Sequence, residues 1–240
     1  MLSNGHRGIP LRGPMLELRN ITKIYGQQAS AVRALDRITL GVNDGEFVAI
    51  TGPSGSGKST TLSIFGILET PTAGEYLIEG IPVQNLAKQV LALLRNNRFG
   101  FVFQTFNLLP RTSALENVML PLIYAGVGTR ERTARAKAAL DSVGLPGRYD
   151  AHPNQLSGGQ QQRVAIARAI VNNPSVILAD EPTGNLDSKM GKEIMQLIQN
   201  LNRDRGITVL MVTHDASCAA YATREVSFLD GKIERDRSNA

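Results

Sequence analysis

Gly52-Pro53-Ser54-Gly55-Ser56-Gly57-Lys58-Ser59, followed by Thr60, is the segment whose residue types and spacing point most directly to chemistry. It fits the pattern GxxxxGK[ST], in which glycines let successive backbone N–H groups turn inward around phosphate oxygens. A helix expected over Thr60–Leu68 would present the positive end of its dipole to the same anion. Lys58 is spaced to reach the β- and γ-phosphates of a nucleotide, and Ser59 to set its hydroxyl on Mg2+. Residue frequencies alone give this pattern in roughly one unrelated chain of this length in a hundred. Here a buried-strand pattern, Phe47–Thr51, runs directly into it, which is the context a phosphate loop needs.

A second cluster is acidic. The apolar run Val176–Ala179 ends in Asp180-Glu181. Ligands of open parallel sheets sit beyond the carboxyl ends of the strands, so these acids are expected in the same crevice as the loop. Asp180 suits holding Mg2+, directly or through water. Glu181 suits orienting and polarising an attacking water. Alone, the pair would read as a polar cap on a strand; beside a phosphate loop it reads as catalytic. The third segment is Leu156-Ser157-Gly158-Gly159-Gln160, ahead of a helix that runs to Val171. A serine and two glycines at a helix start make a second anion-binding terminus. Plain capping, at about 1 kcal/mol, explains the serine and one glycine. It does not explain a second anion site in a chain that already has one.

Together the three segments resemble the ATP-binding cassette family, and Leu156–Gln160 is similar to its signature motif. The resemblance extends from Met15 to about Lys232. It implies that Tyr25 stacks on adenine. Gln104, in Phe103-Gln104-Thr105, resembles the glutamine that senses Mg2+ and the catalytic water while touching a membrane subunit. Asp187, in Gly184-Asn185-Leu186-Asp187, resembles the residue that communicates across a dimer. His214 matches the switch histidine that contacts the γ-phosphate. Read singly, Tyr25 is a packed aromatic, Gln104 a surface glutamine, His214 a capping or core histidine and Asp187 a helix cap. The family pattern implies ATP hydrolysis with Mg2+ in a head-to-tail homodimer that holds two ATP molecules at its interface. Each ATP would be held by Tyr25 and residues 52–60 of one copy and by Ser157, Gly158, Gly159 and Gln160 of the other. Ser59, Gln104 and Asp180 would serve the metal; Lys58, Gln104, Glu181 and His214 would serve the reaction.

The elements that must position these groups follow from the apolar pattern. Leu16–Tyr25, Ile38–Val42 and Glu75–Ile81 read as turn-bounded strands, with Asn43-Asp44-Gly45 a turn. Val90–Arg95, Ala114–Tyr124, Arg130–Val143, Gly159–Val171 and Met190–Asn202 carry helical patterns, and Gly144–Asn154 reads as a loop. Thr208–Thr213 is a buried strand, and Glu225–Ile233 a hairpin closed at Asp230-Gly231. Strands alternating with helices predict an α/β fold with a mainly parallel sheet. The early strands predict an added N-terminal antiparallel β subdomain, and the middle helices an inserted α-helical subdomain. In family terms this is a phosphate-loop NTPase core, RecA-like, with the helical signature subdomain inserted at about 105–170. Residues 1–14 read as a tail and 15–240 as one cassette domain.

Composition narrows the setting. Hydrophobic residues make up 42% of the 240, and no stretch nears the ~20 apolar residues that cross a bilayer. The first residues lack the apolar run of a secretory signal. One cysteine, Cys218, excludes an internal disulfide and fits a reducing cytoplasm as a buried structural thiol. The net charge is +5 and the pI about 9.6. The tightest basic cluster, Arg130–Lys137, includes Glu131 and reads as a solvated helix face, so no nucleic acid is expected. A soluble cassette ATPase acting on DNA or ribosomes is the alternative. DNA-repair cassettes carry a long coiled coil between phosphate loop and signature, and only about a hundred residues separate Ser59 from Leu156.

Residues 100–110, with Ala114–Val118 and Leu120-Pro121-Leu122, resemble the branch that holds the macrolide-exporter, lipoprotein-releasing and related cell-division ATPases. Members of that branch serve a separate integral membrane permease, some by transmitting force rather than carrying substrate through a pore. The resemblance implies docking of a permease near Gln104–Leu109, a periplasmic adaptor reached through it, and a peripheral place on the cytoplasmic face of the inner membrane. Phe106–Leu109 is the expected groove for a permease helix, and Phe101 and Phe103 are expected in the core.

Overall fold

The computed structural model describes residues 13–26 and 30–239. The expected tail, residues 1–14, lies outside the described residues except for Gly13 and Pro14. Strands β1 (Leu16–Tyr25), β2 (Val32–Val42), β4 (Ala73–Ile78) and β5 (Ile81–Pro82) form an antiparallel sheet in the order β2-β1-β4-β5. Leu16 and Leu18 point inward by strand alternation, and Ile21 also does so although it breaks the period of two. A bulge at left-handed Asn20 (φ 50°) absorbs the odd residue and returns the apolar face to the core. A similar irregularity hides the start of β2 from the sequence pattern. It begins at Val32 rather than Ile38 because Arg37 (φ 53°) interrupts the alternation between Leu35 and Ile38.

The second sheet has six strands in the order β10-β9-β3-β8-β7-β6. Strands β3 (Phe47–Thr51), β6 (Phe99–Phe103), β7 (Val176–Asp180), β8 (Thr208–Val212) and β9 (Arg224–Leu229) run parallel, and β10 (Lys232–Ser238) returns antiparallel to β9. Its central strands are buried on both faces, as a covered parallel sheet requires. Alternate residues feed two cores. Phe47, Ala49, Ile177, Ala179, Val209 and Met211 face one side, with helices α3 (Ala114–Tyr124), α4 (Thr129–Ser142), α5 (Gly158–Ile170) and α6 (Ser188–Arg205). Val48, Ile50, Val176, Leu178, Leu210 and Val212 face the other, with α1 (Lys58–Phe65) and the antiparallel sheet. Helix α2 (Lys88–Arg98) buries none of its residues, and α7 (Ala216–Ala219) is a single turn.

Helix α1 starts at Lys58, two residues before the expected Thr60, so Lys58 and Ser59 occupy its first turn. It stops at Phe65 rather than Leu68. A Cβ at Gly66 would lie 2.6 Å from Phe101 and 2.8 Å from Leu178, and Ile67 turns left-handed (φ 56°) as the chain leaves the core. The C-terminal hairpin extends over Arg224–Ser238, longer than the expected Glu225–Ile233. Its second strand is so polar that the apolar pattern ends early.

Helix α5 lies directly on β6, because Gly100 has no side chain. A Cβ there would meet Ala169 O at 2.4 Å. We expect Gly100→Ala to lose about 1–3 kcal/mol by overpacking, read as a lower urea midpoint with an unchanged slope.

Candidate active site

The loop between β3 and α1 takes its shape from glycines with positive φ: Gly52 (137°), Gly55 (78°) and Gly57 (102°). At Gly57 space is also short, since a Cβ would sit 2.6 Å from Ala34 O and 2.7 Å from a Leu35 methyl. The loop is braced from outside. Gly231 N donates to Ser56 O at 3.1 Å, and Asp36 N donates to Gly231 O at 2.9 Å. The turn of the C-terminal hairpin thus ties the loop to the antiparallel sheet. Pro53, Ser54 and Gly55 are exposed, whereas Ser56 is buried with an unpartnered hydroxyl.

Lys58 Nζ donates to the loop's own carbonyls, Gly52 O at 2.8 Å and Pro53 O at 2.7 Å. Burial lowers the pKa of this ammonium, and the charges of Glu181 and Asp180 partly oppose that shift. Ser59 Oγ donates to Asp180 Oδ1 at 3.2 Å. Burial pushes the Asp180 carboxyl up, against the hydrogen bond from Ser59. Glu181 follows in a left-handed conformation (φ 49°), its N–H on Val212 O at 2.9 Å. That geometry aims its carboxylate at His214, whose Nδ1 lies 2.8 Å from Glu181 Oε1. His214 is well exposed, and the hydrogen bond to Glu181, together with its charge, raises the imidazole pKa.

The structure therefore brings Lys58, Ser59, Asp180, Glu181 and His214 to the carboxyl ends of three adjacent strands. Gln104 follows β6, the strand beside β7. Its Nε2 is 3.5 Å from Asn185 Oδ1, and Asn185 Nδ2 donates to Gln104 O at 3.0 Å. Thr60 lies in the first turn of α1. Tyr25, at the end of β1, is 40% exposed and carries Lys23 Nζ 4.8 Å from its ring centroid. Asp187 caps α6, accepting from Lys189 N and Met190 N. Ser157 caps α5 in a reciprocal box with Gln160: its hydroxyl accepts from Gln160 N at 3.3 Å, and Gln160 Oε1 accepts from Ser157 N at 3.0 Å. Gly158 and Gly159 N–H, in the first turn, have no intrahelical partner. Among the described residues, no hydrogen bond or ion pair joins Ser157–Gln160 to residues 52–60.

A divalent cation fits this donor set as a hard ion with few protein ligands. Among the described residues no group of three or more His, Cys, Asp or Glu could hold a metal. A hard cation with few protein ligands, completed by phosphate oxygens and water, matches Ser59 and Asp180. Cys218 is buried against the Thr183 hydroxyl at 3.3 Å, and burial pushes its thiol pKa up.

One expectation holds in part. A groove of about 620 Å3 opens beside the site, lined among others by Leu68, Leu93, Phe101, Phe103, Asn107 and Tyr124. Phe101 and Phe103, expected in the core, are half-buried and stack in this groove with ring centroids 6.0 Å apart. Period-two alternation places both on the face of β6 that also carries buried Phe99; Phe101 packs against that core near Leu178, and Phe103, at the end of the strand, continues the groove wall. Phe106 instead packs toward Gly158 at the start of α5, and Leu108 packs against the helical core. Gln162 was missed altogether. It is fully buried on α5, and in the run Gln160-Gln161-Gln162 nothing distinguishes it from its neighbours.

A family model for ABC transporters matches residues 35–184. The chain is 51% identical over 226 residues to MJ0796 of Methanocaldococcus jannaschii, an uncharacterized ABC transporter ATP-binding protein, covering 92% of this chain and 96% of that one. The chain belongs to the ABC transporter family. With the family come its fold and reaction: this is an ABC ATPase. The dimeric structure of the MJ0796 cassette in a post-hydrolysis state with ADP and Pi superposes with a TM-score of 0.87 at 49% identity, covering 94% of this chain and 99% of that one. The macrolide export ATP-binding/permease protein MacB of Rhodospirillum rubrum is 50% identical over 223 residues, 93% of this chain but 34% of that protein. The chain spans about a third of the length of the MacB relatives it matches.

The His214–Glu181 contact has a definite pH signature. A folded-state pKa above the ordinary value of about 6.5 means that the pair's contribution to stability is full below that pH and is lost as pH rises through the raised value. In a proton NMR titration, His214 should titrate above an ordinary histidine, and Glu181→Gln should lower its midpoint.

Proposed function

We propose that this ABC ATPase binds Mg-ATP between two copies of itself and uses hydrolysis to drive a transmembrane permease of the macrolide-export and lipoprotein-release type. The observation that carries the reading is the separation of two anion-binding helix starts. Gly158 and Gly159 present free N–H groups at the start of α5, yet among the described residues no hydrogen bond or ion pair joins this terminus to its own phosphate loop. A second copy, turned head to tail, would bring that terminus onto the γ-phosphate of an ATP held by the first. ATP then joins the two halves, and loss of the γ-phosphate parts them. The dimeric MJ0796 cassettes support this arrangement.

Within one half, the chain's own groups would divide the work. The loop N–H groups and α1 would cradle the phosphates, with Lys58 exchanging Gly52 and Pro53 carbonyls for phosphate oxygens. Tyr25 would stack on adenine. Glu181 would orient and polarise the attacking water, and His214 would take over the γ-phosphate as charge develops. Positioning and charge stabilisation then supply most of the rate. Mg2+, held by Ser59 and Asp180 with Gln104 nearby, would neutralise phosphate charge. Asp187, at the cap of α6, would carry signals across the dimer.

Residues 15–240 would form one cassette domain, with about 105–170 as its inserted helical subdomain. The stacked Phe101 and Phe103, rather than Phe106–Leu109 alone, would receive the permease helix beside Gln104. That docking would hold the chain at the cytoplasmic face of the membrane, with any periplasmic adaptor reached through the permease. Relatives named for macrolide and pyoverdine export favour transport over action on DNA or ribosomes.

Glu181→Gln should keep ATP affinity, lose roughly 100-fold or more in hydrolysis and accumulate an ATP-loaded dimer on size exclusion. Turnover at the wild-type rate would remove Glu181 from its role. Lys58→Ala should weaken ATP binding by about 10- to 100-fold, the worth of one hydrogen bond to a charged group, measured by titration with a fluorescent ATP analogue.

A further inference from the structure

Gln162 is 0% exposed, in the middle of α5. Its Nε2 donates to two backbone carbonyls, Pro182 O at 2.5 Å and Phe103 O at 3.4 Å. Its Oε1 is also buried and has no hydrogen-bond partner among the described residues. Burying an amide costs desolvation that a methionine or leucine would avoid. Such a breach of packing economy marks positions held for a function.

The two carbonyls are not ordinary ones. Phe103 O ends β6 directly before Gln104. Pro182 O follows Glu181 directly after β7. These strand ends are neighbours, with Phe103 paired to Asp180. Glu181 itself is left-handed, a conformation that a glutamate holds only under constraint. Val212 O receives its N–H, and its carbonyl accepts from Gly184 N at 3.0 Å. The Gln162 amide supplies the third tether, one residue on. The same helix starts at Ser157, so Gln162 lies between the second anion-binding terminus and this chain's own acid.

We infer that Gln162 is a positioning residue: from α5 it sets the backbone that aims Glu181 and Gln104, and so ties the placement of the Ser157 terminus to the chain's own hydrolytic site. The inference rests on the ATPase reading for its kinetic consequence. The tether itself is independent of that reading.

Two variants test it in the full chain. Gln162→Met fills the space without a donor. Gln162→Glu keeps the size and a hydrogen-bonding end, and carries the test if the methionine variant does not fold. Hydrogen exchange at the Glu181 and Gly184 amides should quicken by about tenfold or more in either variant, while exchange in β3 stays unchanged. ATP turnover should fall about 10- to 100-fold with KM within about threefold, the pattern of misplaced chemistry rather than lost binding. In Gln162→Glu the buried carboxyl has a raised pKa, and its protonated form donates again. Its rate relative to wild type should therefore climb as pH falls, over a range in which circular dichroism shows the folded fraction unchanged; a merely structural role would make the two move together. Wild-type exchange at both amides in a folded variant would overturn the inference, as would losses of kcat and ATP affinity in equal measure. A wild-type chain without ATPase activity would instead remove the ATPase reading and leave the exchange result to decide the tether.

Discussion

Phosphate oxygens can be held only by donors that have no better partner, and a folded chain has few of these. They occur at the first turns of helices and in turns that glycine permits. Two helix starts of this kind occur here, at α1 and at α5. Each must keep its N–H groups free without collapsing onto its own backbone. At α1 that demand accounts for much of the architecture. Gly57 tolerates the close approach of Ala34, and the hairpin turn at Gly231 links the loop to Asp36. Segments distant in the chain therefore converge on six residues of loop, and both sheets contribute to its brace.

The six-stranded sheet supplies the second requirement, a common line for the reacting groups. Parallel strands all end on the same side, so Thr51, Phe103, Asp180 and Val212 deliver the loop, Gln104, Glu181 and His214 to one crevice. Burial on both faces makes those strand ends stiff. The acids, in turn, are desolvated enough for Asp180 to be pushed up and Lys58 down, yet each keeps a hydrogen-bonding partner. His214 stays at the rim, free to exchange partners.

Much of this was legible in the sequence, for a physical reason. Phosphate binding depends on local backbone geometry, so Gly52–Ser59 stands out by spacing, whereas Asp180-Glu181 and Ser157–Gly159 gain their meaning from its presence in the same chain. The parallel core was equally plain from Val176–Ala179 and Thr208–Thr213. What escaped depends on contacts between segments remote in sequence. The stop of α1 at Phe65 is set by Phe101 and Leu178, not by a local breaker. Phe101 and Phe103 look like core residues in any strand pattern; Phe101 does pack against the core, and the edge position of β6 leaves both half-buried on the wall of a groove. Gln162 has no local signature, because its partners are backbone carbonyls 20 and 59 residues away.

The contact at Gly100 carries a mechanical consequence. Where most helices rest on a sheet through a layer of side chains, α5 meets β6 through bare backbone, with Ala169 as its nearest neighbour. A side-chain cushion can shear by changing rotamers, but such a joint has nothing to yield. Arg168, one residue earlier, clamps the carbonyls of Phe106 and Asn107 at 2.9 and 2.6 Å. Helix, strand and following loop therefore form a rigid lever. A push on the aromatic wall of the groove would arrive at the far tip of α5 as displacement, with little of it absorbed on the way.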